Sequence, residues 1–207
     1  MSYLFAHPAR VAMLTAAHAG IVALALLAAL AIALPLGVLS ARKQSVRPWL
    51  LGSLGAIYTV PSLALLAIFV QLFGLGSTPI FVALVVYGQF MLVRNIDAGL
   101  RGIDPGARDA ALGLGLSQRE RLLRVEFPLA LPVMIGGVRI AAIAMIAIAT
   151  LAGYVGGGGL GVLIFNGLTL HDHAMIAAGS IAVSALAITL DLLLRTCERV
   201  ARNRLGF

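Results

Sequence analysis

Few residues of this chain are of types that do chemistry, and the densest run of them lies between Asp109 and Pro128, DAALGLGLSQRERLLRVEFP. That run is polar and arginine-rich, and it sits between long apolar stretches. It holds no catalytic constellation, so its chemistry is that of a surface made to bind. Two other groupings invite a chemical reading. Gly156–Gly161, GGGGLG, looks like a phosphate-binding loop, but no Lys-Ser/Thr follows it and an apolar run precedes it instead of a strand. A tightly packed turn is expected there. His171-Asp172-His173 offers metal-ligand types, yet no Cys or further acidic residue lies nearby, so no metal site is expected.

Composition sets the surroundings of these residues. Of 207 residues, 61% are hydrophobic and 11% charged, against roughly 45–50% and 25% in soluble domains. The mean hydropathy is +1.04. The chain is expected to be an all-α integral membrane protein. A net charge of +7 would suit nucleic acid, but the basic residues stand at the ends of apolar spans, so nucleic acid is not expected as a partner. The single cysteine, Cys197, excludes an internal disulfide. The start, MSYLFAHPARVAM, lacks the features of a cleavable signal.

Five stretches approach or exceed the roughly 17–25 apolar residues of a spanning helix: Ala17–Leu39, Leu50–Phe73, Pro79–Val93, Pro128–Ala152 and Ala174–Leu194. The third is short and extends through Asn95. Met1–Ala16 is placed on the membrane surface. Thirteen of the fifteen Lys and Arg follow the first, third or fifth span; Arg10 and Arg139 are the others. Five spans with the N-terminus outside and the C-terminus in the cytoplasm put all thirteen on the cytoplasmic side. Pro35, Pro61 and Pro132 fall inside spans and predict kinks. Gly52, Gly55, Gly136 and Gly137 predict close helix approach.

The hairpin of about residues 95–127 can be read locally. Asp104-Pro105 predicts a helix start, with Asp as cap and Pro at the first position. Ala107, Ala110, Ala111 and Leu114 then share one face, shallow enough to sink into a groove on a partner. Gly113 and Gly115 break this helix. Ser117-Gln118-Arg119-Glu120 is a capping box that starts the next, and Pro128 is expected to end it and open the fourth span.

Taken together, Asp109-Ala110-Ala111, Gly115 and Val125…Pro128 resemble the EAA loop of ABC importer permeases, E-A-A-x3-G-x9-I-x-L-P. Asp109 replaces Glu and Phe127 replaces Leu. Tyr58–Leu65, Val93-Arg94-Asn95, Val125–Met134, Gly137-Val138-Arg139, Thr150-Leu151-Ala152 and Gly156–Gly161 are similar to the glycine betaine/carnitine/choline branch of osmoprotectant permeases. The resemblance implies one transmembrane domain over residues 1–207 with the type I importer (MetI-like) fold. It implies a multi-pass protein of the bacterial inner membrane. Its partners would be separate ABC ATPase subunits carrying ATP and Mg, a second permease subunit, identical or paralogous, and an extracytoplasmic solute-binding protein, all within membrane lipid. No cofactor belongs to this chain itself, which has no Walker motif and is not expected to be an enzyme. The docking residues implied are Asp109, Ala110, Ala111, Gly115, Val125 and Pro128. At the outer side, Gly156–Gly161 would form a gate or a contact for the binding protein.

Tyr58, Pro61, Asn95, Arg139, Thr150, Tyr154 and Asn166 lie in or beside spans and are candidates for a translocation path or gate. A charge at mid-membrane costs about 2.5–3.5 kcal/mol, so Arg139 must face protein, water or an interface; a structural partner is favoured. Asp191 and Arg195 read as a local i, i+4 pair. A methionine-type amino-acid importer permease shares the size, topology and loop, and is the alternative. An ion-coupled carrier ranks lower, because the spans hold almost no acidic residues.

Overall fold

In the computed structural model, residues 2–204 are described, and every regular element among them is helical. The helices are α1 (Ser2–Ala6), α2 (Pro8–Arg42), α3 (Arg47–Thr59), α4 (Ser62–Phe73), α5 (Ser77–Arg101), α6 (Pro105–Gly113), α7 (Gln118–Arg121), α8 (Phe127–Ala149), α9 (Gly161–Leu170) and α10 (His173–Arg204). A π-helical turn, Leu122–Glu126, joins α7 to α8, and a 3-10 turn, Thr150–Gly153, follows α8.

Small side chains bring α2 against α5 and α8. Ala25, Ala29, Ala33 and Gly37 recur every four residues on one face of α2 and are buried, with Ser40 one turn further on. A side chain at Gly37 would overlap Ile96 of α5, and one at Gly88 would overlap Met145 of α8. Close approach of backbones, rather than bulky apolar filling, is what holds helices together where lipid is as apolar as leucine. Of the glycines expected to do this, Gly137 packs on Asn95 and Gly55 on Phe90, whereas Gly52 meets open space and Gly136 only grazes Glu198. The α2 stripe has no signature in the sequence, because alanine in an apolar run carries no contrast.

Four helical segments are long and apolar enough to cross a membrane, and α3 with α4 forms a pair bent by 91°. The second expected span is therefore two helices. Pro61 supplies no N–H, and Val60 is extended at the break. The hydroxyl of Tyr87 on α5 donates to the Val60 carbonyl, satisfying a backbone group the break exposes. At 13 and 12 residues, each half is about 18–20 Å long, too short to cross the roughly 30 Å hydrocarbon core alone. Together they cross once, because the ends of their neighbours are fixed. Ser40 at the end of α2 donates to Asp97 near the end of α5 at 2.8 Å. At the opposite end, Gly76 N–H, just before α5, donates to Val155 O, beyond α8, at 3.0 Å. So α2 and α5 run parallel, α8 runs against them, and the chain between α2 and α5 must change ends. Met175, at the start of α10, packs with Val11 and Leu160 at that same far end. The result is five crossings, with the N- and C-terminal helix ends on opposite sides.

Three expectations need correction. Residues 8–16 do not form a separate surface segment; they continue α2, with Pro8 at the first helical position. The third span runs through Asn95, as expected, but continues to Arg101. Pro128 does not end a helix. Residues 118–153 form one 36-residue helical segment, in which Phe127 N–H reaches back five residues to Leu122 O. The wide turn sits where the proline ring would press on the carbonyl four residues back, and the chain absorbs it by widening instead of stopping.

His18, fully buried in α2, joins two helix ends. Its Nε2 lies 3.1 Å from Ile146 O, and its Nδ1 accepts Leu160 N–H at 3.3 Å. Thr150 N–H turns to Ala147 and Ile148 as the 3-10 turn begins, so the Ile146 carbonyl loses its helical partner and the imidazole takes it. One neutral tautomer, with the proton on Nε2, makes both bonds. His18→Ala strands both backbone groups and is expected to cost about 2–5 kcal/mol, read as a lowered midpoint of thermal unfolding in detergent. Gly161 packs so closely on the 3-10 turn that a side chain would overlap the Thr150 carbonyl, while Gly20 in α2 faces open space. Gly161→Ala should lower that midpoint by an amount equivalent to about 1–3 kcal/mol. Gly20→Ala should raise it by about 0.5–1 kcal/mol equivalent. Equal effects of the two would contradict this packing.

Candidate docking hairpin and membrane cavity

The hairpin is built as its residues dictate. Asp104 caps α6, its side chain accepting Ala107 N–H at 3.2 Å, with Pro105 at the first helical position. Gly115 takes φ +74 and turns the chain, a conformation that costs glycine nothing. Ser117 and Glu120 then form the reciprocal capping box; the Ser117 hydroxyl also donates to Glu120 at 2.7 Å.

The face of α6 divides differently from the helical-spacing argument. Ala111 is only 3% exposed, and Ala107 is half-buried against the core. Both point inward. Asp109, Ala110, Gly113 and Leu114 are exposed, as is Leu112. Leu114 reaches 80% exposure. The outward surface is thus Asp109, Ala110, Leu112 and Leu114, and Ala111 is a buttress whose carbonyl accepts Leu116 N–H at 3.2 Å. Val125 lies half-buried in the π turn, and Pro128 half-buried in the first turn of α8.

Two buried carboxylates anchor this end. Asp97 is held by Ser40 and, at 3.0 Å, by Arg47 at the start of α3. Glu126 pairs with Arg42 of α2 at 2.7 Å, with Arg121 of α7 at 3.3 Å and with Arg108 of α6 at 4.0 Å. Sequence reasoning assigned neither acid a role. The one available signal was an acid embedded among arginines.

The residues proposed for a path fall into three places. Asn95 and Arg139 line a cavity of about 800 Å³ between α5, α8 and α10, together with Asp104, Glu198 and Arg202. Asn95 donates to Met91 O at 2.7 Å. Arg139 pairs with Asp191 at 3.4 Å and Glu198 at 3.1 Å. Asp191 is thus bound across the α8–α10 interface and not to Arg195 one turn along. Tyr58 and Pro61 lie at the α3–α4 break, where Tyr58 stacks on Phe90 at 5.2 Å and meets Tyr87 edge-on at 5.9 Å. Thr150, Tyr154 and Asn166 sit at the far end. There Thr150 bonds its own helix at Ala147 O, the Tyr154 ring lies 5.6 Å from Phe165, and Asn166 is exposed on α9. His171-Asp172-His173 forms a helix junction: Asp172 accepts the N–H groups of Ala174 and Met175 at 2.9 and 3.1 Å, capping α10.

Residues 33–203 match the family described as "Binding-protein-dependent transport system inner membrane component". The chain is 39% identical over 182 residues to the choline transport system permease protein OpuBB of Bacillus subtilis, covering 88% of this chain and 84% of that one. It is 37% identical over 203 residues to the osmoprotectant import permease protein OsmW of Salmonella typhimurium, covering 96% and 94%. Among solved structures, an inward-facing form of the MetNI methionine ABC transporter superposes with a TM-score of 0.84 at 18% identity, covering 93% of this chain and 96% of that one. That likeness establishes the MetI-like fold. A five-crossing helical chain with this fold and these relatives belongs to the binding-protein-dependent transport system inner membrane components, as a multi-pass permease of the inner membrane.

Proposed function

We infer that this chain is the permease subunit of an ATP-driven importer for quaternary ammonium osmoprotectants such as glycine betaine, choline or carnitine. The observation that carries this reading is the exposed face of α6, held out at the basic end of a fold whose relatives are named for choline, carnitine and osmoprotectant transport. The basic end lies in the cytoplasm, following the rule that positive residues stay inside. ABC ATPase subunits, which carry ATP and Mg, dock there on Asp109, Ala110, Leu112 and Leu114. Two permease subunits, identical or paralogous, enclose the path. An extracytoplasmic binding protein delivers solute to the opposite end, near Gly156–Gly161, Tyr154 and Asn166.

ATP binding closes the ATPase pair and draws the two hairpins together. Only interactions that differ between the two packings of the helices can drive the change. The ion pairs around Glu126 and Arg139 tie α2, α6, α7, α8 and α10 together, so the hairpin's motion reaches the membrane helices. Arg139 and Asn95 bring polar groups to a largely apolar cavity, through which a solute reaches the cytoplasm.

Leu114→Arg and Ala110→Trp alter the exposed face without touching the core. Each should reduce co-purification of the ATPase and lower uptake by about tenfold or more, while the chain still inserts. Ala111→Trp should instead prevent stable folding, because that position is buried. Normal uptake by both surface variants would refute docking at α6. Uptake of labelled choline should stop on ATP depletion, persist with an uncoupler, and be competed by glycine betaine more strongly than by methionine. Stronger competition by methionine would assign the chain to amino-acid import.

A further inference from the structure

Arg94 is a cation inside a span without a carboxylate of its own. It lies seven residues before the end of α5, about 10 Å inward along the helix, and it is exposed. Among the described residues no acid pairs with it; the acid one turn away, Asp97, is taken by Ser40 and Arg47. Its contact is with an aromatic ring. The guanidinium carbon stands 5.8 Å over the centre of Phe90, one turn deeper. Phe90 is in turn stacked on Tyr58 of α3 at 5.2 Å. Gly55 makes room for that stack, since a side chain there would come 3.3 Å from the Phe90 ring. Tyr87 meets Tyr58 edge-on at 5.9 Å and is itself fixed on the Val60 carbonyl. The Tyr58 ring is thus held from two sides, and 36% of the residue is left exposed.

This surface is unlike one that lipid covers. Every exposed residue of α2 from Ala12 to Pro35 is apolar, whereas the exposed residues of α3 and α5 include Ser53, Tyr58, Thr59 and Arg94. An ionisable side chain in a span faces protein or water, because contact with lipid is costly. The strip from Tyr58 to Arg94 therefore faces a wet path that leads to the basic end. Its chemistry is that of two different holders joined by Phe90. A trimethylammonium group has no N–H to donate and is held by the face of an aromatic ring. A carboxylate is held by the paired donors of a guanidinium. Glycine betaine and carnitine carry both groups, whereas choline carries the first and a hydroxyl.

We propose that Tyr58 and Arg94, joined by Phe90, form a subsite of the translocation path for zwitterionic quaternary ammonium solutes: the exposed Tyr58 ring takes the trimethylammonium and Arg94 takes the carboxylate, so that Arg94 favours glycine betaine and carnitine over choline. The proposal rests on the importer reading given above. It adds a place inside the membrane where solutes are told apart after the binding protein has released them.

The test uses the complete importer, this chain with its ATPase and binding protein, reconstituted in proteoliposomes. Uptake of labelled glycine betaine and of labelled choline is measured separately, each with the binding protein saturated, so that its own selectivity does not enter. Arg94→Gln should lower the ratio of glycine betaine to choline uptake about tenfold, as loss of one charge-assisted hydrogen bond implies. Arg94→Lys keeps the charge and guards against a failure to assemble; its ratio should fall less, because an ammonium makes a point contact and not a paired one. Tyr58→Leu should slow both solutes, and Tyr58→Phe should retain more of both than Tyr58→Leu. An unchanged ratio in the Arg94 variants that assemble, equal slowing of both solutes included, overturns the subsite. Uptake by Tyr58→Leu as fast as in the unaltered importer overturns it as well. An unaltered importer that moves methionine and neither ammonium solute would instead refute the osmoprotectant reading, so the two fail by different measurements.

Discussion

Burial of Asp97 and Glu126 at the basic end constrains everything around them. A carboxylate removed from water must have charged or hydrogen-bonding partners, and removing one partner of such a pair costs several kcal/mol. Asp97 therefore needs Ser40 and Arg47, and Glu126 needs Arg42 with Arg121 and Arg108 near it. These demands bring the end of α2, the start of α3, the end of α5 and the start of α8 to one level. Once those ends are fixed, the directions of the helices follow, and with them the requirement that the bent α3–α4 pair crosses.

The opposite end is governed by backbone groups instead of charges. A helix that stops inside a membrane leaves carbonyls and N–H groups that lipid cannot satisfy. His18 meets the Ile146 carbonyl and the Leu160 N–H, and Tyr87 meets the carbonyl freed beside Pro61. Irregular backbone is thus confined to places where a polar side chain of another helix reaches it. The glycines after Tyr154 allow three positive φ values there, at Gly156, Gly158 and Gly159, and the loop folds back tightly enough to place Leu160 against His18.

Much of this was legible from residue types and spacing. Hydropathy gave the number of crossings, because apolar length is a direct physical requirement. Asp104, Ser117 and Glu120 announced the hairpin's helix ends, because capping is local. What spacing alone left unresolved was which side of α6 faces the protein. Ala110 and Ala111 are adjacent and chemically alike, and only the tertiary position of the π turn decides that one is exposed and the other buried. Long-range partners were hidden for the same reason. Asp191 has Arg195 one turn away in sequence but Arg139 across the helix interface in space. His18 carries no local sign of contacts 128 and 142 residues distant. The candidate path residues shared only polarity in apolar surroundings, which does not say that they share a cavity, and the structure unites just Asn95 and Arg139.

The unbroken run from Gln118 to Gly153 has a mechanical consequence. Thirty-six helical residues span about 54 Å at 1.5 Å per residue, so this segment is a stiff lever with its short arm in the hairpin. A tilt of only about 5° at its foot would sweep the far end through about 5 Å, roughly one helical turn. The far end carries the 3-10 turn on which α9 is seated, with Gly161 lodged against Thr150. Such a segment would carry a small angular change near α6 to the opposite end of the protein without any helix having to unwind.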